Sequence, residues 1–193
     1  MKTYLLLEPT TDETAAHFWH MRNYDDQFEL SEGIPLSGTF PSDAAYRMSD
    51  EAPDKTALYE VLYNLDGQFV VHEKVRTFLE KENVQHVEYL PVKVLNHKDR
   101  EVKERYFVVN MLPLVDCVDL DQTKFKRNRL NPDQLMDISN LSVHEEKIPP
   151  DFQLLRLKAV SGAMLIHRDL AAKLKAAGFR GFATPEVSEY SGN

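Results

Sequence analysis

Apolar residues in this chain are spaced in two ways. Some form short continuous runs closed by turn residues, and others recur every three or four positions among charges. The first spacing predicts buried strands and the second predicts amphipathic helices. KTYLLLE (residues 2–8) reads as a strand ended by Pro9, and DETAAHFWHMR (12–22) as one or two helical turns with Thr10 or Thr11 as N-cap. Residues 23–56 follow no period and carry Gly33, Pro35, Gly38, Pro41 and Pro53, which predicts mostly loop. LYEVLYN (58–64) predicts a strand followed by an Asp66-Gly67 turn. In residues 73–82, Val75, Phe78 and Leu79 share a helical face, with His72 and Glu73 near the helix start.

VEYLPVKVL (87–95) and KERYFVVNML (103–112) predict a β-hairpin across the polar linker at 96–102. Pro91 cannot donate a ladder hydrogen bond, which places it at an edge or a bulge. PLVDCVDLD (113–121) reads as a third strand and KFKRNR (124–129) as a basic loop. DFQLLRLKAV (151–160) and GAMLIH (162–167) follow as strands. RDLAAKLKAAG is a helix stopped by Gly178, and FRGFATP (179–185) is a short strand. No internal repeat or low-complexity tract is visible. The expected fold class is α+β, a largely antiparallel sheet with a few short helices.

The 193 residues suit one domain, 1–193, with an irregular acidic N-terminal lobe at about 1–65 and a core at about 65–185. Cys117 is the only cysteine, so no internal disulfide forms, and a reducing, cytoplasmic location is expected. Residues 1–10 lack the apolar core of a signal peptide, and no stretch approaches the roughly 20 apolar residues of a membrane span. The net charge of −8 is unevenly placed. Residues 1–70 hold 13 acids and four bases, whereas residues 71–193 hold 18 acids and 19 bases. This asymmetry favours a basic partner and disfavours nucleic acid.

Four groups of residues are candidates for chemistry. On a continuous strand Asp119 and Asp121 share a face and present two carboxylates to a cation, while Asp116 points away. Hydrogen bonding to nearby backbone N–H groups is the competing use for these acids. His17 and His20 share a face of the predicted helix at a zinc-compatible spacing, with no identifiable third ligand. Cys117 lies among apolar residues and acids, a setting that suppresses thiolate. Lys124, Lys126, Arg127 and Arg129 form a basic knot with one interleaved aromatic, Phe125, which suits a solvated loop better than a nucleic-acid site. No nucleophile, base and orienting group assemble, so no catalytic residues and no cofactor are assigned.

Several pieces together carry a resemblance: EYLPVKV, RYFVVNMLPLVDCVDLDQT, KIPPDFQLLRLK and HRDLAAKLKAAGFRGFATPEV. Tyr106 and Asn110, Asp116 to Asp119, Phe152 and Arg156, and Ala177 to Gly181 fall on the pattern. Across residues 65–185 the chain resembles the family-11 immunity proteins of bacterial polymorphic toxin systems. Thr123 and His72 stand where relatives are expected to carry serine, and both keep a hydrogen-bonding side chain. The resemblance implies a non-enzymatic cytoplasmic protein that binds and neutralises a cognate toxin, with a basic nuclease as the first expectation for that toxin. The contact surface is expected among Asp25, Asp26, Glu29 and Glu32. Alternatives are an effector adaptor or chaperone for a secretion system, and a small metal-dependent hydrolase.

Overall fold

The structure is a computed structural model that describes residues 2–192. In chain order the strands are β1 (Tyr4–Leu6), β2 (Glu8–Pro9), β3 (Ala45–Arg47), β4 (Val61–Leu62) and β5 (Val70–His72). Helix α1 (Glu73–Lys81) precedes β6 (Val87–Leu95), β7 (Tyr106–Met111), β8 (Lys124–Arg127), β9 (Leu135–Ser139), β10 (Leu154–Arg156) and β11 (Met164–His167). Helix α2 (Arg168–Ala176), β12 (Phe182–Ala183) and β13 (Ser191–Gly192) complete the chain, and short 3-10 helices occupy Gln27–Ser31, Glu145–Lys147 and Val187–Glu189. The fold is α+β with mostly antiparallel sheets, as expected.

The sheets run β3-β6-β7-β5-β4, β1-β11-β10 and β13-β9-β8, with β12 paired to β2. Strand alternation distributes side chains between packed layers. Tyr106 and Val108 of β7 face a core with Phe18, Leu30, Leu36 and Tyr46, contributed by the irregular N-terminal segment. Phe107, Val109 and Met111 face the opposite way, onto Val75 and Leu79 of α1 and Leu170 and Leu174 of α2. Leu5 of β1 joins that helical core, while Tyr4 and Leu6 point to a further core with Cys117, Leu141 and Leu157. Both faces of β1 and β7 are therefore covered, which is why their sequences are continuous apolar runs.

Residues 12–22 are not helical. Arg22 exchanges backbone hydrogen bonds with Ala45, Ala15 bridges Ala57, and Phe18 bridges Met48 and Asn64. The Asp12 carboxylate accepts the Thr14 and Ala15 N–H groups, a local turn that competes with helix. Residues 113–121 do not continue the sheet, because β7 is already paired on both sides, with β5 and β6. They run instead between Val115–Arg156 and Asp119–Ser142 backbone contacts. The basic run at 124–127 is a strand, not a loop: β8 is an edge strand whose lysines face solvent. The strand expected over 58–64 shortens to β4. Pro91 does lie on an uncovered stretch, since β3 pairs only with Lys93, Val94 and Leu95.

A repeat invisible in the residue types emerges in the backbone. β5, His72 and α1 are matched by β11, His167 and α2, and each helix has nine residues. Both histidines cap their helix through Nδ1, accepting the Lys74 N–H at 3.0 Å and the Asp169 N–H at 3.2 Å. Both helices end on left-handed residues at the same two spacings, Asn83 and His86 in one unit and Gly178 and Gly181 in the other. A Cβ on Gly181 would fall 2.0 Å from the Val61 carbonyl oxygen, so this crossing excludes every other residue type. The units meet through Phe78 edge-on to Phe179 and a Lys173–Glu82 ion pair.

The buried guanidinium of Arg156 ties the layers together. It is 2% exposed, donates from Nη2 to Gln68 Oε1 at 3.0 Å and from Nη1 to the Ser161 carbonyl, and among the described residues no carboxylate pairs with it. Burial pushes it down to about 10, so it is still a cation at neutral pH.

Arg156→Met is expected to lower unfolding free energy by about 2 kcal/mol, because a buried acceptor on Gln68 and a half-buried one on Ser161 lose their donor. Urea denaturation of this variant, Gln68→Leu and the double variant checks it, and the two effects should be less than additive. His72→Ala and His167→Ala should each cost about 1 kcal/mol, with asparagine restoring most of the loss as an alternative cap. Equal losses for alanine and asparagine would rule out capping as the cause.

Candidate partner-binding surface

A short 3-10 helix, Gln27–Ser31, lies within the acidic segment. Leu30 is buried and anchors it, while Phe28 stands 85% exposed on its outer side. Asp25, Asp26 and Glu32 are exposed, and their side chains make no ion pair among the described residues. Glu29 differs: it is half-buried and accepts the Tyr24 hydroxyl at 2.8 Å. That bond, together with burial as the larger cause, raises the Tyr24 phenol well above its ordinary value. Three exposed carboxylates therefore lie within four residues of an exposed aromatic ring in sequence, and the fourth supports the helix.

Framework groups fix this segment on both sides. Ser31 Oγ accepts from Gln68 Nε2 at 3.4 Å. Beyond the helix, Asn110 Nδ2 donates to the Ile34 carbonyl at 2.9 Å, and Glu88 accepts the Leu36 N–H at 2.8 Å. Burial raises the Glu88 carboxyl, but the Leu36, Ser37 and Asn110 donors outweigh it and hold it below its usual range. Gly33 has φ of +65°, and a Cβ there would lie 2.6 Å from the Leu114 nitrogen. The segment is irregular in sequence and closely held in space.

Between this helix and β9 lies a groove of about 770 Å³. Phe28, Ser31 and Glu32 form one wall, Asp133 and Met136 belong to the other, and Ser161 and Tyr190 also line it. Trp19 forms a second exposed aromatic site, 43% exposed with its indole N–H bonded to Ser49. Composition alone drew attention to the acids. The lone aromatic in DDQFELSE was the available signal for Phe28, but its exposure depends on how the helix is seated.

The other candidate sites dissolve on folding. Asp119 is buried and its Oδ1 accepts the Asp121 and Gln122 N–H groups at 3.0 and 3.1 Å, making it the cap of a turn. Asp116 and Asp121 are exposed. With no helix at 12–22, His17 packs on Tyr63 and Lys55 while His20 bonds Asp66. Among the described residues, no group of three or more His, Cys, Asp or Glu side chains is placed to hold a metal ion. Cys117 is fully buried, and burial, then Asp116, pushes its thiol up to about 12. In the basic run, Lys126 pairs with Asp137, and Arg127 bonds the Pro132 carbonyl and stacks on Phe125. Lys124 and Arg129 are exposed.

No helix among the described residues is long and apolar enough to cross a membrane. The residues that carried the resemblance are mostly framework: Tyr106 donates to the Tyr59 carbonyl, Phe152 stacks on His86 at 4.1 Å, and Arg156 is the buried clamp.

Asp119→Ala is expected to lower stability by about 1–2 kcal/mol through two lost hydrogen bonds, and Asp121→Asn to leave it unchanged. Thermal unfolding with and without added zinc or magnesium checks this. A metal-dependent rise in melting temperature that vanishes in either variant would restore the metal reading.

Comparison with the curated proteins finds no match. The family model described as Immunity protein family (Imm11) matches residues 3–189, the acidic first third included, and the chain belongs to that family.

Proposed function

We propose that this chain is a non-catalytic immunity protein that binds a cognate bacterial toxin and neutralises it in the cytoplasm. Family membership supports the immunity role. The observation that carries the choice of surface is Phe28, 85% exposed between the unpaired carboxylates of Asp25, Asp26 and Glu32. An exposed aromatic ring with acids close by in sequence suits a binding hot spot, where the ring gives contact energy and the charges give orientation and rate.

A basic toxin fits this surface. Nucleases attract phosphate with lysine and arginine, so an acidic inhibitor face competes for the same field. Of the acids in the first third, Asp12, Asp50 and Asp66 are occupied by Tyr59, Arg47 and Tyr46 respectively. Among the described residues the exposed acids without an ion pair are Asp25, Asp26 and Glu32 beside Phe28, and Glu13, Asp43, Glu51 and Asp54 elsewhere in the segment. Only the first group lies next to an exposed aromatic in sequence.

Co-expression with the product of the adjacent gene, purification of the complex, and toxin assay with and without this chain test the function. Inhibition supports neutralisation, a bound but fully active toxin supports an escort role, and absence of binding sinks the reading. Within a complex, Asp25→Lys with Asp26→Lys should slow association about tenfold at low salt and much less at high salt. Phe28→Ala should raise the dissociation rate on the order of tenfold or more, the scale of an interface hot spot. Stopped-flow association and surface-immobilised dissociation measurements separate the two effects.

A further inference from the structure

We infer that the groove between the 3-10 helix and β9 receives an extended segment of the toxin that pairs an arginine or lysine with a neighbouring apolar side chain. This rests on the proposed immunity function and goes further, by naming the recess and the chemistry that enters it.

Three observations converge on this occupant. The groove's volume of about 770 Å³ accommodates several side chains, and its walls expose Phe28 and Met136. Leu130, 96% exposed, sits on the 128–134 loop that contributes Asn128 and Asn131 to the same wall. Two of the exposed large apolar residues thus line one recess and a third lies on the loop beside it, a clustering that marks interaction sites on soluble proteins.

The carboxylates then select the sign of the ligand. Glu32 on one wall and Asp133 on the other both line the groove. Lys158 is the single cationic side chain in the lining, and it is exposed. Arg156 lies behind the floor, bonded to the carbonyl of groove-lining Ser161. Its charge disfavours a second cation deep in the recess. The incoming guanidinium or ammonium therefore belongs at the mouth, between Glu32 and Asp133, with the apolar neighbour against Phe28 and Met136.

The walls are also pre-set. Gln68 bonds both Ser31 and Arg156, while Gln134 donates to the Lys158 carbonyl at 2.8 Å and accepts the Ser161 N–H at 3.4 Å. Little ordering is left to be done on binding, which favours a small recess as an anchor point.

The test uses the full chain, isotope-labelled, and two blocked hexapeptides, one alternating leucine with arginine and one alternating leucine with glutamate. The basic peptide should give saturable amide shifts at Ser31, Met136 and Ser161, with the acidic peptide leaving them unmoved. Met136→Lys and Asp133→Lys, both at exposed positions and checked for folding by circular dichroism, should weaken that binding about tenfold. Preference for the acidic peptide, no binding of either, or shifts confined to the Trp19 site would each overturn the inference. With a purified toxin complex the two proposals separate. If Asp25→Lys with Asp26→Lys slows association but Met136→Lys leaves affinity intact, the groove is wrong and the acidic helix stands. If neither change matters while the toxin is still inhibited, both placements fall and the immunity function remains.

Discussion

The bond from Arg156 to Gln68 joins the two principal sheets, and much of the molecule's irregular chain is organised around the turn that receives it. Gln68 ends the 64–68 turn, which Asn64 braces by donating to the Leu62 and Gln68 carbonyls and accepting the Gln68 N–H. From the same turn, Asp66 accepts the Met21 N–H and the Tyr46 hydroxyl, which holds both the extended N-terminal segment and β3. Gln68 also reaches Ser31 on the 3-10 helix. A buried cation without a carboxylate is a costly group to place, and its own Nε finds no partner among the described residues. Its retention is understandable as a specificity device: only the arrangement that brings Gln68 and Ser161 to β10 satisfies the rest of the guanidinium.

This dependence explains which elements were legible in the sequence. β1, β6, β7, β11 and both helices were readable because their signals are local, in run length, spacing and stops such as Gly178. The segment at 12–22 misled because its apolar residues at 15, 16, 18 and 21 satisfy a helical spacing and an extended burial pattern equally well. Backbone bonds to Ala45, Ala57 and Tyr63, all distant in sequence, decided between them. β8 and residues 113–121 misled in opposite directions. One is a strand with charged residues at an edge, and the other is an apolar run buried without a strand partner along its length. Burial is encoded in residue type, whereas strand pairing is a property of what lies alongside.

The helix-turn repeat was hidden for a related reason. Position by position its residue types differ, yet the features that shape the backbone coincide: a histidine cap, a nine-residue helix and two left-handed positions. Asparagine or glycine serves at the first left-handed position, and histidine or glycine at the second, so comparing side chains misses an equivalence that comparing φ reveals. Gly181 cannot be exchanged in this way because the Val61 carbonyl occupies its Cβ position.

The candidate surface was legible as charge and illegible as shape. Acid counts pointed to the first third of the chain, but folding divides those acids into ones that hold the frame and ones that remain available. Asp12, Glu29 and Asp66 accept hydrogen bonds from tyrosines, whereas Asp25, Asp26 and Glu32 stay at the surface. Residues that carried the resemblance lie mainly in the first group's role, as with Asn110, which bonds the Ile34 carbonyl beyond the 3-10 helix, and Arg156, which bonds Gln68 and the Ser161 carbonyl. A frame of that kind lets the exposed residues vary without disturbing the fold. On the proposed function, the frame supports the surface and the partner is met by the few residues it holds outward: Phe28, the exposed carboxylates and the walls of the groove.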